Sequence, residues 1–229
     1  MSAPAGDRGT GIPLSREEYL RGWSELHEGI DPESIRFVRG WLSIAYSAGR
    51  PLARAGVPPT VVTVAGLLVA AATVPVAGLG PRWPLLALPL VLVSALLDSL
   101  DGTVAVLTGR VTALGALADS VCDRLSDAAY GFALWVVGAP AWLAGLWVGL
   151  GWLAEYVRVR GHTLVGGPID TVTVGERPTR IVLVSFALAG CGVLPHHTHA
   201  VATAFGVAAA GAAAIGLLQI LAAVRERLA

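Results

Sequence analysis

The sequence predicts an all-α integral membrane protein, in which six transmembrane helices surround a polar cavity facing the cytoplasm and an amphipathic interfacial helix precedes them. The first observation is composition: 55% of the 229 residues are hydrophobic and 14% are charged, whereas soluble domains carry about 25% charged residues. The others are a series of long segments without charge and a one-sided distribution of arginine. Sixteen basic residues balance sixteen acidic ones, so the chain lacks the basic surface that a nucleic-acid partner requires.

The segments without charge define the six spans. A spanning helix needs about 20 mostly apolar residues. Residues 60–81 contain no charged side chain, and residues 181–224 contain none either, although Pro195 divides that longer segment into two passes. The pattern predicts spans over 60–80, 84–107, 114–137, 141–160, 178–194 and 199–222.

The arginines predict the orientation of these spans. Short cytoplasmic loops of membrane proteins are enriched in basic residues. With six spans, nine arginines fall on the side of both termini, and Arg82 alone falls on the other side. We therefore expect a multi-pass protein of the cell membrane with both termini and the polar cavity on the cytoplasmic side. The nine are Arg50, Arg54, Arg110, Arg158, Arg160, Arg177, Arg180, Arg225 and Arg227.

The chain before the first span is richer in polar and charged residues than the spans. Residues 1–13 contain several glycines and prolines and are expected to be disordered. Residues 14–57 are expected to form cytoplasmic or interfacial helices, and residues 58–229 a single six-helix membrane domain. Ser15-x-x-Glu18 is a capping box that opens a first helix through Leu26. A second helix from about Glu33 places apolar side chains on one face: Ile35, Val38, Leu42 and Ala45.

Five aspartates lie at or near the ends of the second and third spans, where charge is costly. An aspartate in the middle of a spanning helix costs about 2.5–3.5 kcal/mol on insertion. Neighbours three or four residues apart share one face of a helix, and the short loop at 108–113 makes the two helices antiparallel neighbours. Their acidic faces are therefore expected to meet. The aspartates are Asp98 and Asp101 on one helix, and Asp119, Asp123 and Asp127 on the other.

A divalent cation resolves the repulsion between carboxylates that share one pocket. Clustered oxygen ligands suit Mg²⁺ or Mn²⁺, and Gly102 and Gly115 permit close approach of a ligand beside the carboxylates. Two alternatives remain open from the residues alone. The aspartates form helix-end ion pairs with Arg110 and Arg124, or they line a path for a proton or a cation.

Two helical motifs resemble the signature of the CDP-alcohol phosphatidyltransferase family. They are Asp98-x-x-Asp101-Gly102-x-x-Ala105 and Gly115-x-x-x-Asp119-x-x-x-Asp123. The resemblance extends over three further segments. Residues 119–124 and the last of these segments are most like those of actinobacterial members that make a phosphorylated inositol lipid. The three segments are Pro59-Thr60-x-x-Thr63-x-x-Gly66, Tyr156-Val157-Arg158-Val159-Arg160 and Glu176-Arg177-Pro178-x-Arg180.

The resemblance implies an activity. A phosphatidyl group would pass from a CDP-linked lipid such as CDP-diacylglycerol to an alcohol, with release of CMP, in phospholipid synthesis. It implies a metal site of Asp98, Asp101, Asp119 and Asp123, with Asp123 also the catalytic base for the acceptor hydroxyl. The preferred acceptor is inositol phosphate, with glycerol 3-phosphate as the alternative, and family members are commonly homodimers.

The resemblance also implies two groups of binding residues. The nucleotide and diphosphate would be bound by Thr60, Thr63, Gly102, Thr112 and Gly115. Bidentate arginines would bind the phosphate of the acceptor: Arg124, Arg158, Arg177 and Arg180. An alternative for these arginines is contact with anionic lipid head groups.

One position departs from the family pattern. An arginine follows the motif alanine in the family, where it is associated with the donor phosphates, and here Val106 follows Ala105. Arg110 lies one helical turn further on. A catalytically silent member that still binds nucleotide is therefore an alternative, and a cation or proton carrier is another.

Overall fold

Eight helices joined by short connections make up the described part of the chain, which is residues 15–26, 36–169 and 171–228 of a computed structural model. The expected disorder of residues 1–13 lies outside these ranges, as does Ile35. No strand is present in the described ranges. The helices are α1 (Arg16–Leu26), α2 (Arg36–Arg54), α3 (Pro59–Gly78), α4 (Pro84–Thr108), α5 (Ala113–Val136), α6 (Ala141–Val165), α7 (Arg177–Val193) and α8 (Thr198–Leu228).

Each predicted span coincides with one helix from α3 to α8. Most ends agree within about two residues, but α6 continues to Val165 and α8 to Leu228, beyond the apolar residues that defined the predictions. Among the described helices, α3, α4 and α8 are long and apolar enough to cross a membrane. Helix α5 carries four charged residues, and α7 has 17 residues. The structure thus supports a membrane protein, and the six-span arrangement stays a prediction.

The chain divides into two compact units. The first comprises the described residues up to Gly66 and residues 96–121, and the second comprises residues 67–95 and the described residues from Cys122 onward. Each unit is made of separate stretches of the chain, since α3, α4 and α5 each contribute residues to both units.

In the first unit, α1 and α2 pack on the C-terminal part of α4. Ser15 Oγ accepts a hydrogen bond from the Glu18 N–H (3.3 Å), and the Glu18 carboxylate accepts one from the Ser15 N–H (2.9 Å), which confirms the capping box at the start of α1. Tyr19 is fully buried, and its hydroxyl lies 3.1 Å from Thr103 Oγ1. Leu42 is 4% exposed, so part of the predicted apolar face of α2 is buried against protein.

In the second unit, α6 and α7 pack against α8 around a core of Trp147, Tyr130, Leu134 and Leu188. The Tyr130 hydroxyl donates a hydrogen bond to Ser94 Oγ at 3.0 Å. Glycine allows the connection between α6 and α7 to touch α8 directly. A Cβ added at Gly216 of α8 would lie 3.0 Å from the Gly175 nitrogen, so these two backbones meet without an intervening side chain.

Candidate active site

A cavity of about 420 Å³ lies in the first unit, where α3 begins, α4 ends and α5 begins. All five residues predicted to bind the nucleotide and diphosphate line this cavity, together with two of the predicted metal ligands. They are Thr60, Thr63, Gly102, Thr112, Gly115, Asp101 and Asp119. Residues separated by up to 59 positions in sequence therefore share one cavity.

Two local features bring the end of α4 and the start of α5 to the cavity. Gly109 terminates α4 in a left-handed conformation (φ 65°) that glycine adopts without steric cost. Thr112 then caps α5, since its Oγ1 accepts a hydrogen bond from the Gly115 N–H at 3.0 Å. The first turn of α5 consequently lines the cavity, and the N-terminal end of a helix favours anionic groups.

The carboxylates of the first unit fit a cation. Asp98 and Asp119 offer oxygens within 4.8 Å of each other. Asp101 is 5% exposed, its Oδ1 accepts a hydrogen bond from the Gly102 N–H at 2.5 Å, and its Oδ2 is buried with no hydrogen-bond partner in the described structure. An unsatisfied buried carboxylate oxygen is costly, and Mg²⁺ or Mn²⁺ would satisfy it.

Asp123 follows Asp119 by one turn of α5 and belongs to the second unit. Its carboxylate forms an ion pair with Arg177 at the first position of α7. Arg124 lies 3.8 Å from the same carboxylate. The predicted catalytic base is thus flanked by two of the arginines predicted to bind the acceptor.

The other two predicted arginines are also paired with acids. Arg180 forms an ion pair with Asp127, and both side chains are buried. Arg158 donates to Glu176 at 2.7 Å and to the carbonyl oxygens of Ile169 (3.2 Å) and Thr171 (3.1 Å). Arg158 therefore holds the connection between α6 and α7 in place.

Sequence reasoning assigned no role to two acids that organise these arginines. Glu155 lies 3.6 Å from Arg124 and 4.0 Å from Arg158. Glu176 accepts hydrogen bonds from the Thr173 N–H (3.1 Å) and Oγ1 (3.0 Å) besides its bond to Arg158. The three-residue spacing of Glu155 and Arg158 on α6 is the sequence signal that would have found the first of them.

The alternative of helix-end ion pairs is correct in part. Arg124 lies near both Asp123 and Asp127, the latter at 3.5 Å. Arg110 instead lines the cavity of the first unit.

Comparison with known proteins identifies the class. Residues 57–222 match the CDP-alcohol phosphatidyltransferase family, and the chain belongs to this family. It is similar to the archaetidylinositol phosphate synthase of Aeropyrum pernix, with 34% identity over 53% of this chain and 61% of that protein. It is also similar to the archaetidylinositol phosphate synthase of Pyrococcus horikoshii, with 32% identity over 61% of this chain and 73% of that protein. It is also similar to the phosphatidylinositol phosphate synthase of Corynebacterium glutamicum, with 38% identity over 43% of this chain and 49% of that protein. The matches thus span from about half to about three quarters of these relatives.

Two solved structures share the fold. Both are of the Mycobacterium tuberculosis phosphatidylinositol phosphate synthase. The structure with CDP-diacylglycerol bound has a TM-score of 0.61 and 25% identity, and the match covers 80% of this chain and 94% of that chain. The structure in complex with manganese and citrate has a TM-score of 0.63 and 24% identity, and the match covers 79% of this chain and 88% of that chain.

Proposed function

We propose that this protein transfers a phosphatidyl group from CDP-diacylglycerol to inositol phosphate and releases CMP. The observation that carries the proposal is the cavity of the first unit, because seven residues predicted to bind the donor or its metal line it together. Membership of the CDP-alcohol phosphatidyltransferase family supports the reaction class. The inositol phosphate synthases among the relatives support the acceptor.

The proposed metal ligands are Asp98, Asp101, Asp119 and Asp123, with Mg²⁺ or Mn²⁺ as the ion. The buried Oδ2 of Asp101 and the proximity of Asp98 to Asp119 support this set. When bound, the ion neutralises the donor diphosphate and stabilises negative charge on the departing CMP.

The chain itself supplies positioning and proton transfer. Thr60, Thr63 and Thr112 offer hydroxyl groups to the nucleotide and diphosphate, while Gly102 and Gly115 leave room for both. Asp123 takes the proton from the acceptor hydroxyl, whose oxygen then attacks the phosphorus on the lipid side. The bond from that phosphorus to the CMP oxygen breaks, and CMP leaves.

The acceptor phosphate is proposed to bind Arg124, Arg158, Arg177 and Arg180. Each guanidinium is paired with a carboxylate in the structure, so phosphate binding involves exchange of partners. Arg177 and Arg124 are the best placed for this exchange, because both flank Asp123 and would deliver the acceptor hydroxyl to it. Glycerol 3-phosphate carries the same phosphate group and is the second candidate acceptor.

The remaining features of the proposal concern the whole protein. We place it in the cell membrane with six spans, both termini and the active site on the cytoplasmic side, and a homodimer as the assembly. Three apolar helices support membrane insertion, and the nine-to-one arginine distribution supports the orientation.

The test is CMP release by the purified protein with CDP-diacylglycerol, Mg²⁺ or Mn²⁺, and a panel containing inositol phosphate, glycerol 3-phosphate and free inositol. We expect release that depends on inositol phosphate and is abolished by Asp123→Asn. CMP release that depends on glycerol 3-phosphate alone would make glycerol 3-phosphate the acceptor in place of inositol phosphate. Binding of CDP-diacylglycerol without turnover under every condition would favour the catalytically silent alternative.

A further inference from the structure

The side chain at position 106 belongs to an apolar cluster in the first unit. Val106 packs against the cluster of Tyr19, Leu20, Leu42, Ala53 and Leu107, as does Tyr46. Ala105 lines the cavity, whereas Val106 is not among the described residues that line it. Consecutive side chains of a helix point about 100° apart, so the adjacent residues Ala105 and Val106 of α4 lie in different environments.

An arginine in the turn that follows α4 lines the cavity. Gly109 reverses the chain in its left-handed conformation, and the Arg110 N–H donates a hydrogen bond to the Ala105 carbonyl at 2.9 Å. This bond across five residues fixes Arg110 at the C-terminal end of α4. Arg110 is the one basic residue among the described residues that line the cavity, which also include Asp101 and Asp119.

We propose that Arg110 binds the diphosphate of the CDP-linked donor and supplies from the α4–α5 turn the positive charge that Val106 does not. The inference rests on the proposed function. A diphosphate entering a cavity with two carboxylates needs positive charge close to its oxygens, and arginine binds phosphate oxygens through two parallel hydrogen bonds. The first turn of α5, opened by Thr112, contributes a favourable helix dipole at the same cavity.

The arrangement changes what an arginine at position 106 would do. Val106→Arg would introduce a guanidinium against the apolar cluster that includes Tyr19 and Leu107. Burial of an unpaired charge is strongly unfavourable. We therefore expect Val106→Arg to lower thermal stability without tightening donor binding.

The experiment compares Arg110→Ala and Arg110→Lys with Arg54→Ala, an exposed arginine at the end of α2 in the same unit. Equilibrium binding of CDP-diacylglycerol in nanodiscs and the KM values of donor and acceptor are measured for each. Loss of Arg110 is expected to weaken donor binding and to raise the donor KM by about tenfold or more, the usual effect of losing a charge-assisted hydrogen bond. The acceptor KM stays unchanged, Arg110→Lys recovers part of the binding, and Arg54→Ala matches the wild type.

Unchanged donor binding by Arg110→Ala would overturn the inference while leaving the proposed transferase intact if the wild type releases CMP. A wild type that binds CDP-diacylglycerol but releases no CMP would overturn the transferase, and the binding comparison would still decide the role of Arg110. A wild type that does not bind CDP-diacylglycerol overturns both. Recovery of donor binding in the double variant Val106→Arg/Arg110→Ala would show that position 106 reaches the diphosphate, contrary to the packing described.

Discussion

At the scale of single residues, the Asp101 carboxylate is buried and one of its two oxygens lacks a hydrogen-bond partner in the described structure. Its Oδ2 has none within the described chain, while its Oδ1 is engaged by the Gly102 N–H. Substitution of Asp101 therefore tests whether Oδ2 binds the metal.

Asp101→Asn is expected to lower Mn²⁺ affinity by about 100-fold and CMP release by a similar factor, because it removes charge while keeping the shape of the side chain. Electron paramagnetic resonance of bound Mn²⁺ measures the affinity. Glu226→Gln, which makes the same chemical change at an exposed position in the last turn of α8, serves as the control. Wild-type Mn²⁺ affinity in Asp101→Asn would remove Asp101 from the metal site.

The buried pair of Arg180 and Asp127 gives a prediction about stability. Arg180→Met leaves the Asp127 carboxylate buried with Arg124 at 3.5 Å as its remaining described cation. Removal of one partner from a buried ion pair typically costs about 3–5 kcal/mol, whereas removal of both is often nearly neutral. We expect Arg180→Met to lower the free energy of unfolding by about 3 kcal/mol, and Arg180→Met/Asp127→Asn to recover most of the loss.

Circular dichroism during titration with a denaturing detergent measures this difference. Equal destabilisation by the single and double variants would show that the loss comes from side-chain packing and not from removal of the Arg180 charge beside Asp127.

At the scale of helices, a hydrogen bond joins α1 to α4 beside their apolar packing. Thr103 Oγ1 donates to the Ser99 carbonyl at 2.9 Å, so the Tyr19 hydroxyl is the donor in its 3.1 Å contact with Thr103. Burial raises the pKa of Tyr19. The protonated form is therefore the one that holds α1 in place.

Tyr19→Phe removes this hydrogen bond and is expected to lower the free energy of unfolding by about 1 kcal/mol. Because the folded-state pKa is raised, the contribution of the protonated tyrosine is complete below about pH 10 and is lost above it. Stability measured by chemical denaturation should therefore fall less steeply above about pH 10 in Tyr19→Phe than in the wild type. Identical alkaline profiles would contradict the assignment.

Helices α3, α7 and α8 were predictable because charge is absent from their centres. The apolar pattern missed the ends of α6 and α8, since α6 continues past Arg160 to Val165 and α8 continues through Arg225 to Leu228. The cavity was predictable at the α4–α5 turn, because the motif residues are close in sequence. The pairing of Arg180 with Asp127 was not, since these residues are 53 positions apart and nothing local specifies which acid each arginine meets.

At the scale of the whole molecule, the orientation follows from the arginine distribution and is open to a direct test. Cys122 and Cys191 form no disulfide and are replaced by serine, after which single cysteines are introduced by His196→Cys and Arg225→Cys. A membrane-impermeant maleimide applied to intact cells should label position 196, while position 225 should react only after permeabilisation. The reverse pattern would invert the proposed topology and place the active site outside.

The meeting of Gly175 with Gly216 has a consequence for how this sequence can vary. A side chain at position 216 would press on the backbone next to Glu176, the acid that binds Arg158. The nearest obstacle is the main chain of Gly175, with the Thr173 hydroxyl 3.2 Å away, so substitution of Thr173 alone cannot make room. We expect random mutagenesis under selection for activity to recover glycine alone at position 216, with no compensating partner elsewhere. A site far along α8 would then be as intolerant of change as the aspartates.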